Sequence, residues 1–114
     1  MRDTGDGQLD VIERLERVIE SRLRERPANS YVTSLFEGGE PVLAAKLREE
    51  ADELAEAAGD GLATTREAAD LLFHVLVVLS ARQVRFADVC AELERRFGVG
   101  GHQEKASRVG RDPK

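Results

Sequence analysis

The chain has 114 residues, 34% charged and 41% apolar, a balance that fits one soluble folded domain and excludes a disordered chain. Its formal net charge of -5 argues against a general nucleic-acid binder, but not against a phosphate-bearing substrate, because a bound metal ion changes the local sign. The single cysteine, Cys90, excludes an intrachain disulfide and fits a reducing compartment.

In chain order, residues 1–8 are polar and read as a frayed start. They contain no apolar segment of a secretory signal. From Leu9 onward, Leu9, Ile12, Leu15, Ile19 and Leu23 recur at helical spacing, with Glu and Arg between them. This predicts an amphipathic helix that ends before Pro27. Residues 26–39 read as a loop with a helical turn around residues 32–36, closed by Gly38 and Gly39. Pro41 opens a second helix, at a position where a missing N–H costs nothing. Gly59-Asp60-Gly61 stops it.

Thr64 or Thr65 caps the third helix. Its second half, LLFHVLVVL, is apolar almost all round and needs cover on most sides. Four helices of this length cannot supply that cover alone, so the expectation is an oligomer, at least a dimer. The longest purely apolar run, residues 75–79, is far too short to span a bilayer. A fourth helix runs from about Phe86 to Arg96, with Phe86, Val89, Cys90, Leu93 and Phe97 facing inward. Glycines 98, 100 and 101 break it, and a polar, basic tail follows. The expected fold is all-α: one domain over 1–114, an antiparallel bundle of four helices with an ordered core about 9–98 and a tail at 99–114. The expected location is the cytoplasm, without membrane or nucleic-acid partners.

The chemistry concentrates between Lys46 and Asp70. Glu49, Glu50, Asp52 and Glu53 place four acids in five positions, and Glu67 and Asp70 follow after the Gly-Asp-Gly break. Glu50/Glu53 and Glu67/Asp70 are acid-x-x-acid steps, whose Cβ atoms lie roughly 5–6 Å apart on one helix face. Two helices folded back at the break would converge four carboxylates. Such a set suits hard divalent cations, which take oxygen ligands. The bland reading is a solvated face, with Lys46/Glu50 and Arg66/Asp70 as ordinary surface pairs. Glu67 has its own explanation, because Thr64-x-x-Glu67 spells a capping box. Against this, crowded like charges repel unless a cation relieves them. Asp70 also sits where the helix turns apolar, where an acid is costly without a partner. His74, four residues on, reads as a ligand, a proton carrier or a substrate contact. The plainer reading is a core-edge histidine bonded to an acid such as Asp70. Cys90 lies on an apolar stripe and reads as core. There is no P-loop, dinucleotide fingerprint, zinc spacing or serine elbow.

Taken together, Ser30-Tyr31, Gly39, Lys46, Glu49-Glu50-x-x-Glu53, Glu67-x-x-Asp70 leading into LLFHVLVVL, and Glu104-Lys105-Ala106-Ser107-Arg108 closely resemble the phosphoribosyl-ATP pyrophosphatase family. That family belongs to the MazG-like all-α nucleotide pyrophosphatases, marked by EExxE followed by ExxD. The resemblance covers about residues 9–108. It implies Mg²⁺-dependent hydrolysis of phosphoribosyl-ATP to phosphoribosyl-AMP and pyrophosphate, the second step of histidine biosynthesis. It implies Glu50, Glu53, Glu67 and Asp70 as metal ligands, and Glu49 as a further ligand or the group that orients the attacking water. Lys46 would contact a phosphate. Ser30, Tyr31, His74, Lys105 and Arg108 would line the substrate pocket. Arg48 stands where many members carry Gly, Val42 where many carry Lys, and Arg85-Phe86 where a Ser or Thr cap is usual. The Val42 difference puts one phosphate contact in doubt. The fused cyclohydrolase of some members is not expected here. Two other readings stay open: a house-cleaning nucleoside triphosphate pyrophosphatase of the same superfamily, and a helical interaction module without catalysis.

Overall fold

The computed structural model describes residues 4–98. His102, Lys105, Arg108 and the rest of the basic tail lie outside the described residues. The described residues form four α-helices and no strand: α1 Thr4–Glu25, α2 Tyr31–Glu56, α3 Gly61–Ala81 and α4 Phe86–Phe97. The all-α class expected from the sequence is the class observed. The chain divides after Gln83 into two compact units, one holding α1 to α3 and the other α4.

In the first unit, α1 begins at Thr4 and not at Leu9. Residues 4–8 are polar and Gly-containing in sequence, so no apolar periodicity marks that turn. Ile19 of α1 is fully buried, together with Leu76 and Val77 of α3. Val32, Leu35 and Phe36 of α2 join that core, and so do Leu43 and Val78.

Helix α2 is broken at Gly39, whose φ of 80° and ψ of -177° are non-helical. That region is essentially open to glycine alone. Gly38 before it has its own reason: a Cβ there would meet the Val42 side chain at 2.6 Å. Residues 31–38 are therefore a helical segment, longer than the helical turn around residues 32–36 expected within a loop. Pro41 opens the second segment as expected, in a first turn that needs no N–H. Ser30 caps the first segment, its Oγ accepting from the Thr33 N–H at 3.2 Å.

The second segment of α2 runs antiparallel to α3. The partners fall in descending order along α3: Glu40 with Arg82, Glu50 with Asp70, and Ala57 with Thr64. Tyr31 breaks this order by meeting His74. A straight α2 would carry Tyr31 about 13 Å beyond Glu40 and past the end of α3. The bend at Gly39 brings it back over the middle of α3.

Helix α3 begins one turn earlier than expected. Its N-cap is Asp60, whose carboxylate accepts from the Ala63 N–H at 3.1 Å. Thr64 and Thr65, the expected caps, lie inside the helix. Their hydroxyls donate to the carbonyls of Ala57 and Gly61. Asp is as good a cap as Thr and stands first in the chain, so it takes the position. The helix ends at Ala81, with Gln83 beyond it at a positive φ of 63°.

The second unit holds α4. Arg85 stands at its N-cap, and the Arg85 N–H is taken up by the Asp88 carboxylate at 3.2 Å. Asp88 thus supplies the N3 half of a capping box, the bond back to the N-cap N–H. Leu93, expected to face inward, is half exposed. Arg95 and Arg96 pull the Glu92 carboxyl down to about 2 through hydrogen bonds.

Candidate metal centre

The second segment of α2 carries Lys46, Glu49, Glu50 and Glu53 at offsets of three, four and seven, one face of a helix. Helix α3 carries Glu67, Asp70 and His74 at offsets of three and seven. Because the helices run antiparallel here, the two rows meet. Oxygens of Glu50, Glu67 and Asp70 lie within 4.8 Å of one another, and so do oxygens of Glu49, Glu50 and Glu53. Glu50 belongs to both groups and joins them.

Glu50 is 7% exposed, and its Oε1 is buried without a hydrogen-bond partner. Glu67 Oε1 is in the same condition. Buried polar atoms are normally paired, and a bare carboxylate oxygen is among the costlier exceptions. Burial pushes the Glu50 carboxyl above the usual carboxylate range, and the neighbouring Glu53 charge adds to it. Burial also raises Glu67, as does the neighbouring Glu53 carboxyl. The donor set is all oxygen, converges from two helices and leaves lone pairs unused. It fits a hard divalent ion.

Asp70 departs from expectation. It is exposed, so the burial cost argued for it at the wet-to-apolar boundary falls on Glu50 instead. The capping-box explanation of Glu67 also lapses, because Asp60 and not Thr64 is the cap. Lys46 bonds to Glu49 at 3.2 Å and not to Glu50. That bond, and next the Tyr31 side chain, raises the Lys46 pKa.

His74 is buried beside the acids. Its Nδ1 lies 2.8 Å from the Asp70 backbone oxygen, and its Nε2 lies 2.9 Å from Tyr31 Oη. A carbonyl only accepts, so Nδ1 carries the proton, and Nε2 and the tyrosine hydroxyl share the second bond. The histidine is bonded to the backbone of Asp70, not to its carboxylate. Ser30 spends its hydroxyl on the α2 cap, next to Tyr31. An open groove of about 510 Å³ is lined by Ala45, Arg48, Glu49, Asp52, Glu53 and Glu56.

Two features were missed from sequence. Phe73 completes an aromatic group with Tyr31 and His74. The first segment of α2 carries Tyr31 to that group. Val32, Leu35 and Phe36 at offsets of three and four are the signal that would have found the segment.

The sequence model of the family described as phosphoribosyl-ATP pyrophosphohydrolase matches residues 12–97. A phosphoribosyl-ATP pyrophosphatase of Rhizorhabdus wittichii is 50% identical over 100 residues, 86% of this chain and 94% of that protein. One of Dinoroseobacter shibae is 47% identical over 88% of this chain and all of its own length. One of Hydrogenovibrio crunogenus is 39% identical over 90% of this chain and 96% of its own.

Proposed function

The chain belongs to the phosphoribosyl-ATP pyrophosphohydrolase family, and we propose from this, with the acid cluster, that it hydrolyses phosphoribosyl-ATP to phosphoribosyl-AMP and pyrophosphate. That is the second step of histidine biosynthesis. The observation that carries the reading is the convergence of acids from α2 and α3 on a buried Glu50 with an unpaired oxygen.

Glu50, Glu53, Glu67 and Asp70 are the residues proposed to hold Mg²⁺, with Glu50 bridging the two groups. A divalent cation there supplies charge neutralisation on the anhydride oxygens and makes water at the site more acidic. Glu49 sits at the exposed edge of the cluster, tethered by Lys46. Its role is to orient the attacking water and take its proton, or to add a further ligand. Lys46 is half-buried and one turn before Glu50, positioned to bind a substrate phosphate. No covalent intermediate is required. Ser30, Tyr31 and His74 border the substrate pocket, and Lys105 and Arg108 complete the proposed set. No helix among the described residues is long and apolar enough to cross a membrane. A cytoplasmic location and an assembly of at least two chains belong to the same proposal.

Pyrophosphate release tests it. The expected result is release from phosphoribosyl-ATP with Mg²⁺ and none with chelator, far above release from a panel of nucleoside triphosphates. Comparable release from the panel would move the protein to the house-cleaning class. No release from any substrate would overturn the enzyme reading.

A further inference from the structure

We propose that the exposed face of Tyr31 is the seat of the substrate's purine ring, and that His74 is the positioning residue that holds this face in place. This deepens the hydrolase reading and rests on it for the identity of the ligand. Tyr31 is 50% exposed, yet its position is fixed by two neighbours, Phe73 and His74. Its ring lies against Phe73, with centroids 6.3 Å apart and planes 21° from parallel. It meets His74 edge-on at 5.9 Å, and Phe73 and His74 meet edge-on at 5.0 Å. These are the offset and edge-to-face arrangements that aromatic groups favour.

The hydrogen bonds decide what Tyr31 can offer. His74 Nδ1–H donates to the Asp70 carbonyl, and His74 Nε2 is hydrogen-bonded to the Tyr31 hydroxyl at 2.9 Å. The tyrosine hydroxyl is thus engaged inside the protein, while half of the residue stays exposed. A flat, immobilised π-face recognises another π-face at little entropic cost. Its neighbours give the direction of the ligand. The same His74 that holds Tyr31 is bonded to the backbone of Asp70, one of the converging acids. Lys46, bonded to Glu49, stands at the edge of the same acid cluster. A base on Tyr31 therefore leads its phosphates toward Lys46 and the acid cluster. The bend at Gly39 is what puts this ring beside the acids.

Tyr31 is the chain's only tyrosine, and there is no tryptophan, so intrinsic ultraviolet emission reports this ring alone. The experiment titrates the full chain in chelator with AMP, and separately with ribose 5-phosphate. Saturable quenching by AMP and none by ribose 5-phosphate is expected. Tyr31→Ala should raise KM for phosphoribosyl-ATP by about tenfold, more than it lowers kcat, and Tyr31→Phe should recover most of that loss. His74→Ala should shift AMP quenching to higher concentration, with the helical circular-dichroism signal retained. Unchanged emission with AMP while phosphoribosyl-ATP is still hydrolysed would overturn the platform and leave the hydrolase reading intact. So would a KM unmoved by Tyr31→Ala. Quenching by AMP in a protein that hydrolyses nothing would support the platform and overturn the hydrolase reading.

Discussion

Glu50 bears the electrostatic cost of the acid cluster. It is buried, faces Glu49, Glu53 and Asp70, and keeps one oxygen unpaired. Glu50→Gln should lower Mg²⁺-dependent pyrophosphate release by about a hundredfold or more, since even outer-shell changes at metal sites cost 10–100-fold. The same change should raise the melting temperature of the metal-free protein, because it removes a charge that burial disfavours. The pH dependence follows from the sign. Glu50 and Glu67 have carboxyls raised above the ordinary value of 4.5, so the native metal-free state holds protons more tightly than the unfolded state. Stability then falls as pH rises from that value through the raised ones. In chelator the protein should melt higher near about pH 5 than near about pH 8, with the difference reduced in Glu50→Gln. A melting temperature that rises over that range would contradict the assignment. The acid steps themselves were legible in the sequence, because offsets of three and four define a helix face. Which acid is buried was not. That depends on how the two rows interdigitate, and the choice fell on Glu50 and not on Asp70.

At the level of the helices, two local devices place the site. Gly39 holds the bend that returns Tyr31 to α3, in a backbone region closed to side chains. Gly39→Ala should destabilise the protein by about 1–3 kcal/mol in chemical unfolding, and a loss under a few tenths would show that the bend is dispensable. Asp60 caps α3, the helix that carries Glu67 and Asp70. Asp60→Ala should cost about 0.5–2 kcal/mol, whereas Thr65→Ala, deleting a mid-helix hydroxyl bonded to the Gly61 carbonyl, should cost much less. Equal losses would restore the threonine cap. The sequence carried both competitors for the cap, and position decided between them. The ends of α1 at Glu25, α3 at Ala81 and α4 at Phe97 were readable from Pro27, the Arg-Gln-Val break and Gly98. The first segment of α2 was read only as a helical turn around residues 32–36, because Pro27 and the Gly-Gly pair frame it as a loop.

For the molecule as a whole, the all-α class was legible because composition, periodicity and breakers agree. Assembly was argued from the apolar run in α3. Leu72, Val75 and Leu79 stay only half-buried, and Val11, Val18 and Val42 are among the exposed apolar side chains. Sedimentation at micromolar concentration should therefore give at least a dimer, and a stable monomer would remove that proposal. The central claim is that carboxylates from two helices form one cation site around Glu50, and it does not depend on the number of chains. Calorimetric titration of the chelator-treated protein with Mn²⁺, a stand-in for Mg²⁺ with the same preference for oxygen ligands, tests it most directly. The account predicts saturable binding that is lost in Glu50→Gln and Asp70→Asn, while both variants keep their helical signal. Undiminished Mn²⁺ binding by Glu50→Gln would contradict it.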